Sequence, residues 1–396
     1  MISLFFALGL ARLTPPKPTY VAPLEVRDNA ILLNAVVNGA PMRLMLDTGF
    51  SGGAVIDQSH YVGEPTGHEH LRDFVENYDA PTVPMTSLQI GSATLPCEGE
   101  RIVLQPLGAL SDAYGERVDG ILGLGPLRHY VTEINIQVHE LRLYPPTYNI
   151  GLLVADGRRT FASRLLPIGH SSLPMEVEAA GGRLAMSLDT GNAFYITTHR
   201  DVLERLGLWS PDRTPEYVRP SGVASGNVNT WSLHMENVRV FGVPVAHSIW
   251  DIIDLPSSAA ESDGTVGFQF LQNFNITFDL DRRLVWLDNF NGVSEVEPLG
   301  EVGLIGGFAR AERRVVVLGV IPGGPADMAG IRPSDQLLSI DGVTLGRQSL
   351  PEVRRLLQGP VGSTARIDVS REGQEIDVEI IRQLLVNEPD RGASAQ

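Results

Sequence analysis

The sequence predicts an all-β protein in which two similar halves are followed by a third, unrelated unit. Short apolar runs alternate with Gly, Pro, Asn and Asp from residue 21 to residue 291, which is the pattern of strands joined by turns. The tripeptide Asp-Thr-Gly occurs twice, at Asp47 and at Asp189. After Asn291 the chain changes character, and the segment that follows has no counterpart earlier in the sequence.

The first half contains four clear strand segments, each rich in Val, Ile and Leu and bounded by turn residues: Ile31–Val37, Met42–Leu46, Leu88–Ile90 and Ile102–Leu104. Pro145 and Pro146 then interrupt the pattern, and a connection to about residue 170 follows. The same β-rich pattern returns from residue 174 to residue 291. Helical candidates in this part are short, such as Asp201–Leu206.

An internal duplication is indicated by the spacing of matching blocks. Asp47 and Asp189 are 142 residues apart, and the Asp-Gly pairs that begin at Asp119 and Asp263 are 144 residues apart. A repeat explains a shared offset better than chance does. We therefore expect each half to contribute one copy of the same structural element.

The third unit has its own pattern of turns and strands. A glycine-containing segment at residues 303–306 precedes a β-branched run, and the apolar spacing of Leu350–Leu357 predicts an amphipathic helix. A closing hairpin is predicted about Arg371–Gly373. Residues 386–396 are predicted to be a disordered tail.

The composition excludes several classes of function. The 396 residues carry a formal net charge of −16, which argues against a surface that binds nucleic acid. Cys97 is the single cysteine, so intramolecular disulfides and multi-cysteine metal sites are excluded. The histidines at 60, 68 and 70 lie in a polar segment, and we predict no metal there.

The N-terminus predicts export. Ile2–Ala11 is largely apolar and ends in a small-x-small pattern, and a Pro-rich lead extends to about residue 20. The segment is shorter than usual for a signal peptide, and no Lys or Arg precedes it. We expect a periplasmic or secreted protein.

Residues 21 to about 290 resemble aspartic peptidases of the pepsin and retropepsin type. The resemblance is carried by the two Asp-Thr-Gly tripeptides and by an apolar-apolar-Gly element, which is matched well by Ile121–Gly123 and less well by Thr265–Gly267. It implies a two-lobed, mostly antiparallel β fold, with lobes at residues 21–150 and 151–293. It also implies that Asp47 and Asp189 are catalytic and that no metal or organic cofactor is needed. Four residues would support the two loops: Thr48, Gly49, Thr190 and Gly191.

The physical basis of such a site is a shared proton. Two carboxyls within hydrogen-bonding distance do not both ionise easily, so one keeps its proton while the other acts as a base on a water molecule. Phe50 and Asn192 stand where the family commonly has Ser or Thr. The missing hydroxyl donor predicts a pair that works at higher pH than pepsin. Residues 63–84, with Tyr78, and 218–231 are candidate flaps.

The third unit resembles a PDZ domain of the kind associated with bacterial proteases, over about residues 300–385. The resemblance implies that the segment with Leu304, Ile305 and Gly306 is a loop that receives the terminal carboxylate of a peptide. Val353 and Leu357 on the predicted helix would line the side-chain pocket.

Together these features predict an exported, monomeric aspartic endopeptidase that acts on protein or peptide substrates and carries a PDZ domain for peptide recognition. The alternative is a scaffold protein in which the duplicated unit is catalytically silent and the PDZ domain provides recognition.

Overall fold

The computed structural model describes residues 15–27, 30–61, 64–72, 77–108, 110–111, 117–167, 172–223, 226–255, 257, 262–309, 314–346, 348 and 350–390. The apolar N-terminal segment that predicts export lies outside these residues. About half of the described residues are in strands and the helices are few and short, which confirms the all-β prediction. None of the helices in the described residues has the length and apolar character needed to cross a membrane.

The first half contributes thirteen strands to the described structure. They are β1 (Tyr20–Pro23), β2 (Glu25–Arg27), β3 (Ala30–Val37), β4 (Ala40–Leu46), β5 (Ala54–Asp57), β6 (Gly67–Arg72), β7 (Asn77–Pro84), β8 (Leu88–Ile90), β9 (Ala93–Leu95), β10 (Arg101–Gln105), β11 (Gly120–Leu122), β12 (Val131–Asn135) and β13 (Glu140–Tyr144). Nine of these form a sheet in the order β6-β7-β10-β5-β11-β4-β3-β8-β9, and β2 pairs with β3 at its side. Single 3-10 turns occur at Gln58–His60, Gly125–Leu127 and Ile150–Leu152.

The second half repeats this plan with ten strands and two short helices. They are β14 (Thr160–Arg164), β15 (Pro174–Ala179), β16 (Gly182–Leu188), β17 (Ile196–His199), α1 (Arg200–Arg205), β18 (Arg219–Val223), β19 (Gly226–Val240), β20 (Val243–Ile253), β21 (Gly264–Val266), α2 (Phe268–Leu271), β22 (Phe274–Asp279) and β23 (Leu284–Asn289). The main sheet has the order β15-β16-β21-β17-β20-β19-β18.

A third sheet joins the two halves. Its order is β1-β13-β12-β22-β23-β14, so three strands of the first half are followed by three of the second, all antiparallel to their neighbours. The halves meet where β12 pairs with β22. One apolar core runs through both halves, from Ala22 to Leu287. The two halves are therefore packed as one body.

The repeat inferred from sequence spacing is visible in the strand pairing. In the first half β4 runs parallel to β11, and in the second half β16 runs parallel to β21. The Asp119 carboxylate accepts a hydrogen bond from the backbone N–H of Arg43 at 2.9 Å. The Asp263 carboxylate accepts the equivalent bond from Ala185 at 2.8 Å. Each half thus uses an aspartate in the same way to fix the strand that leads to its Asp-Thr-Gly loop.

The third unit has a separate sheet and a separate core. Its elements are β24 (Leu304–Ala309), β25 (Arg314–Val320), α3 (Pro325–Met328), β26 (Gln336–Ile340), β27 (Val343–Thr344), α4 (Leu350–Leu357), β28 (Thr364–Arg371) and β29 (Gln374–Ile381). The strand order is β24-β25-β26-β28-β29, with β27 paired to β26. Helix α4 has the bounds expected from its apolar spacing, and β28 and β29 form the predicted hairpin.

Two local expectations for this part of the chain were wrong. Leu304–Gly306 is not a loop, because its backbone pairs with β25 as the start of the edge strand β24, with a bulge after Ile305. The start of the supposed disordered tail is also ordered. Asn387 is buried, and its backbone N–H donates to the carbonyl of Ser232 at 2.8 Å. Asp390 accepts a hydrogen bond from Arg213 at 2.6 Å. Hydrogen bonds thus hold this segment, which has few apolar residues to bury.

Candidate active site

The two Asp-Thr-Gly loops begin where the parallel strands β4 and β16 end. The backbone N–H of Asp47 donates to the carbonyl of Leu122 at the end of β11, at 2.9 Å. The backbone N–H of Asp189 donates to the carbonyl of Val266 at the end of β21, at 3.0 Å. Each aspartate is therefore held at its backbone by a neighbouring strand, and the structure brings the two predicted catalytic residues together.

Glycine is required where the two loops approach each other. A β-carbon at Gly49 would lie 2.6 Å from the carboxyl group of Asp189, and one at Gly191 would lie 2.4 Å from that of Asp47. Both distances are far inside van der Waals contact. The absence of a side chain on each loop is therefore what lets the opposite carboxyl sit against it.

The threonines connect the two halves through four hydrogen bonds. The Thr48 hydroxyl accepts from the backbone N–H of Thr190 at 3.0 Å and donates to the carbonyl of Leu188 at 2.8 Å. The Thr190 hydroxyl accepts from the backbone N–H of Thr48 at 3.1 Å and donates to the carbonyl of Leu46 at 2.7 Å. Both threonines are fully buried, so these bonds fix the loops relative to each other.

Each carboxyl also accepts hydrogen bonds from its own loop. Oδ1 of Asp47 accepts from the backbone N–H groups of Gly49 at 2.8 Å and Phe50 at 3.2 Å. Oδ1 of Asp189 accepts from Gly191 at 2.9 Å and Asn192 at 3.1 Å. These bonds stabilise the ionised form of either group and leave the second oxygen of each available for another partner.

Burial and mutual repulsion favour a single shared proton. Burial raises the pKa of Asp47, although the hydrogen bond from Asp189 and the two loop amides oppose that rise. Burial also raises the pKa of Asp189 well above its ordinary value, and the charge of Asp47 raises it further. The two groups hydrogen-bond each other. The two carboxyls thus hold one proton between them, and the pair titrates as a unit.

The residue after each glycine contributes its backbone amide and directs its side chain elsewhere. Phe50 packs in an apolar cluster with Leu71 and Tyr78. The amide nitrogen of Asn192 donates to the hydroxyls of Thr197 at 2.9 Å and Thr265 at 2.7 Å. Neither side chain is a hydroxyl donor to the pair.

A β-hairpin lies beside each loop. Strands β6 and β7 form the hairpin of the first half, within the segment that the sequence suggested as a flap, and Tyr78 of β7 shares the apolar cluster of Phe50. Strands β18 and β19 form the hairpin of the second half. The Arg219 guanidinium on β18 lies 6.0 Å from the ring centre of Phe194, which follows the Asp189 loop. The pair is therefore flanked by one hairpin from each half.

The residues predicted to bind peptide in the third unit lie close together, but more deeply than expected. Leu304, Ile305 and Gly306 belong to edge strand β24. A β-carbon at Gly306 would lie 3.7 Å from Val353 of α4, so the strand and helix face each other there. Val353 and Leu357 are 1% and 6% exposed and belong to the core of the unit. Val353 and Leu357 therefore form the floor of the space between β24 and α4.

The histidines considered from the sequence are not gathered around a common point. His60 lies 3.1 Å from Asp119, and His70 lies 3.0 Å from Asp79. Sequence reasoning missed a different group, in which His234, Glu236 and His247 of the β19–β20 hairpin point to one place. Its signal was the His-x-Glu spacing in β19, and recognising it required the register between two strands.

Comparison with known proteins identifies the third unit. The PDZ domain family matches residues 316–371. A carboxyl-terminal-processing protease from Synechocystis sp. is 30% identical over 24% of this chain and 23% of its own length. A protein of Staphylococcus haemolyticus named "Probable CtpA-like serine protease" is 27% identical over 20% of this chain and 16% of its own length. The chain thus carries a C-terminal PDZ domain and spans less than a quarter of these two relatives.

A solved aspartic proteinase from Irpex lacteus aligns with 69% of this chain and 97% of its own length. The sequence identity is 13% and the TM-score is 0.42. A likeness at this level supports no assignment.

These names correct the functional prediction made from the sequence. The prediction was an aspartic endopeptidase, with a PDZ-bearing scaffold as its alternative, whereas the relatives are named as carboxyl-terminal processing proteases and CtpA-like serine proteases. The prediction had been transferred from a family resemblance of the duplicated halves. The likeness to these proteases covers less than a quarter of the chain.

Proposed function

We propose that this chain is a peptidase for protein or peptide substrates and that Asp47 and Asp189 are the groups that exchange a proton with the bound substrate. The observation that carries the proposal is the close pair of carboxyls, in which burial raises both pKa values and the charge of Asp47 raises that of Asp189 further. Strongly shifted titratable groups of this kind are concentrated at functional sites. Thr48, Gly49, Thr190 and Gly191 would hold the pair in place.

The surroundings of the pair support access by a peptide. Gly49 is exposed and Asp47 is partly exposed, so the pair is reachable from one side. The threonine hydrogen bonds cross between the halves, which we propose are two lobes, residues 21–150 and 151–293, with the pair between them. The two flanking hairpins are suitably placed to cover a bound chain.

We further propose that the PDZ domain, residues 300–385, binds the C-terminal end of a peptide. Strand β24 is at the edge of its sheet, which is the place where an extended peptide adds as a further strand. Leu304, Ile305 and Gly306 would supply the backbone partners. Val353 and Leu357 would form the floor beneath the first bound side chain. The apolar N-terminal segment supports an exported, periplasmic or secreted protein.

The proposal is tested by digestion of a denatured protein mixture at several values between about pH 3 and 8, which covers the range in which shifted carboxyls titrate. Native protein is compared with Asp47→Asn and Asp189→Asn, each with and without a phosphonylating reagent that inactivates serine nucleophiles. Asp281→Asn, at an exposed turn residue, is the matched control.

We expect native protein and the control to cut the mixture whether or not the reagent is present. Each variant of the pair should lose about 10²–10⁴-fold in rate, the range for a missing acid–base group. Inactivation by the reagent, or full activity in both variants, would place the chemistry elsewhere. No cleavage by native protein at any pH would overturn the peptidase proposal itself.

A further inference from the structure

Two histidines and three glutamates meet beside the PDZ domain's connections to the rest of the chain. His234 and Glu236 lie on β19, and His247 lies on β20, directly opposite Glu236 in the strand register. Glu297 comes from the linker after β23, and Glu388 from the segment after β29. We call these five residues the histidine cluster. It uses neither carboxyl of the Asp47–Asp189 pair and does not depend on the proposed peptidase function.

The two imidazoles are spaced as ligands of one ion. Nε2 of His234 and Nδ1 of His247 are 3.4 Å apart. Two Zn–N bonds of about 2.0–2.1 Å at a tetrahedral angle separate the nitrogens by about 3.3–3.4 Å. Oε1 of Glu236 lies 3.9 Å from the same His247 nitrogen, and the donor atoms of the three residues lie within 4.8 Å of one another. Two nitrogens and one carboxylate oxygen therefore lie close enough together to share one ion.

The opposite nitrogen of each ring faces a carboxylate. Nδ1 of His234 is 3.3 Å from Oε1 of Glu388, and Nε2 of His247 is 3.6 Å from Oε1 of Glu297. Histidines that bind metals commonly donate their other N–H to a carboxylate, which fixes the tautomer and makes the ligand nitrogen more basic. The His234 ring is arranged in this way, and at 3.6 Å the Glu297 carboxylate lies just beyond hydrogen-bond distance of the His247 ring.

The cluster is open to ions from solution. The His234 side chain is 13% exposed and that of His247 is 35% exposed. The three glutamates are more than half exposed, and they add negative charge around the convergent nitrogens.

We propose that His234, His247 and Glu236 bind one divalent transition-metal ion, with Zn²⁺ as the best match to a two-nitrogen, one-carboxylate set. Three protein ligands leave one position of a tetrahedral ion for water. Imidazole and carboxylate donors suit zinc better than calcium or magnesium, which prefer sets of oxygen ligands.

The ion would fasten both connections of the PDZ domain to the second half. On the linker side, the backbone N–H of Val296 donates to the carbonyl of His247 at 3.1 Å. On the tail side, the backbone N–H of His234 donates to the carbonyl of Asn387 at 2.9 Å. Metal binding orders the two rings, and through Glu297 and Glu388 it holds both segments against the β19–β20 hairpin.

The test is calorimetric titration of untagged, chelator-treated full-length protein with Zn²⁺ alone. We expect one ion per chain. His234→Gln and His247→Gln should remove that binding, and Glu388→Gln and Glu297→Gln should weaken it by about 10–100-fold. His139→Asn removes an exposed turn histidine and should bind as native protein does. No saturable binding by native protein, or unchanged binding in both His→Gln variants, overturns the proposal.

A second readout separates the site from adventitious surface binding. Zn²⁺ should slow proteolytic cleavage of the linker at residues 291–299 in native protein and in His139→Asn, and have no such effect in His234→Gln. Far-UV circular dichroism establishes that each variant is folded. Equal protection of His234→Gln would show that the ion acts at another place.

Discussion

Replacing Asp189 by asparagine is expected to make the protein more stable at neutral pH. The pKa of Asp189 is raised in the folded state by burial and by the charge of Asp47, whereas the unfolded chain has an ordinary aspartate. Between those two pKa values the folded state holds a proton that the unfolded state has released. The stability that this proton contributes is therefore fully present below the unfolded pKa of Asp189, and it is lost as pH rises through the folded pKa.

The size of this effect follows from the shift itself, at about 1.4 kcal/mol for each unit by which the pKa is raised. Asparagine does not titrate, and its amide oxygen still accepts the bonds from Gly191 and Asn192 while its NH₂ group donates to Asp47. Asp189→Asn should thus lose less stability between about pH 4 and 7 than native protein does.

Urea unfolding followed by tryptophan fluorescence measures this directly. All four tryptophans lie in the second half, at Trp209, Trp231, Trp250 and Trp286, so the signal reports the unit that contains Asp189. Asp281→Asn serves as the exposed control and should follow native protein at every pH. If Asp189→Asn follows native protein as well, the carboxyl is not held protonated by its surroundings.

The second large effect is expected at Arg219, whose guanidinium pairs with a buried carboxylate. It donates to Oδ1 of Asp251 at 2.6 Å and to the hydroxyl of Ser232 at 2.9 Å. The Asp251 side chain is 4% exposed, and burial raises its pKa even with the arginine present. Arg219→Met leaves this carboxylate without its counter-ion.

Breaking a buried ion pair from one side costs about 3–5 kcal/mol. Because the Arg219 side chain is 22% exposed, we expect the lower end of that range. Arg183→Met, at an arginine that is 76% exposed, should change stability by less than about 1 kcal/mol. Urea unfolding measures both. Arg219→Met/Asp251→Asn should recover much of the loss, and failure to do so would show that packing of the arginine matters more than its charge.

Arg219 also connects the β18–β19 hairpin to the PDZ domain. Its guanidinium lies 4.0 Å from the carboxylate of Glu301, three residues before that domain's first strand. The same side chain approaches Phe194 beside the Asp189 loop. One residue thus contacts the hairpin, the loop and the domain junction.

The sequence predicted features that depend on local chemistry. The duplicated tripeptides identified Asp47 and Asp189 as equivalent positions. Each tripeptide joins a carboxyl to a glycine, and the glycine is needed because the carboxyl of the opposite loop approaches it so closely. Apolar spacing predicted α4 with its bounds, since an amphipathic helix shows its period in eight residues.

Features that depend on contacts between distant segments were not predicted. His234 and His247 meet through strand register, and Glu388 reaches them from 154 residues away along the chain. The tail after residue 386 looked disordered because its composition is polar, yet Asn387 is fixed by hydrogen bonds to Ser232. The loop expected at Leu304–Gly306 became a strand because β25 was available as a partner.

The functional class was less accessible from the sequence than the position of the site. The paired aspartates define which groups share a proton, whereas the reaction class was inferred from a family resemblance, and the names of the PDZ-containing relatives contradict that inference. A fold and a motif can host different functions, so the chemistry must be measured at the site itself.

That measurement is a pH titration of the side-chain carboxyl carbons by NMR, in protein labelled with ¹³C-aspartate, with Asp47→Asn and Asp189→Asn used to assign the two signals. A shared proton predicts that the pair titrates in two separated steps and that the pKa of Asp189 lies well above the ordinary aspartate value of about 3.9. It also predicts that removing Asp47 lowers the pKa of Asp189, because the repelling charge is gone. Two signals that titrate independently near the ordinary value would show that the pair shares no proton.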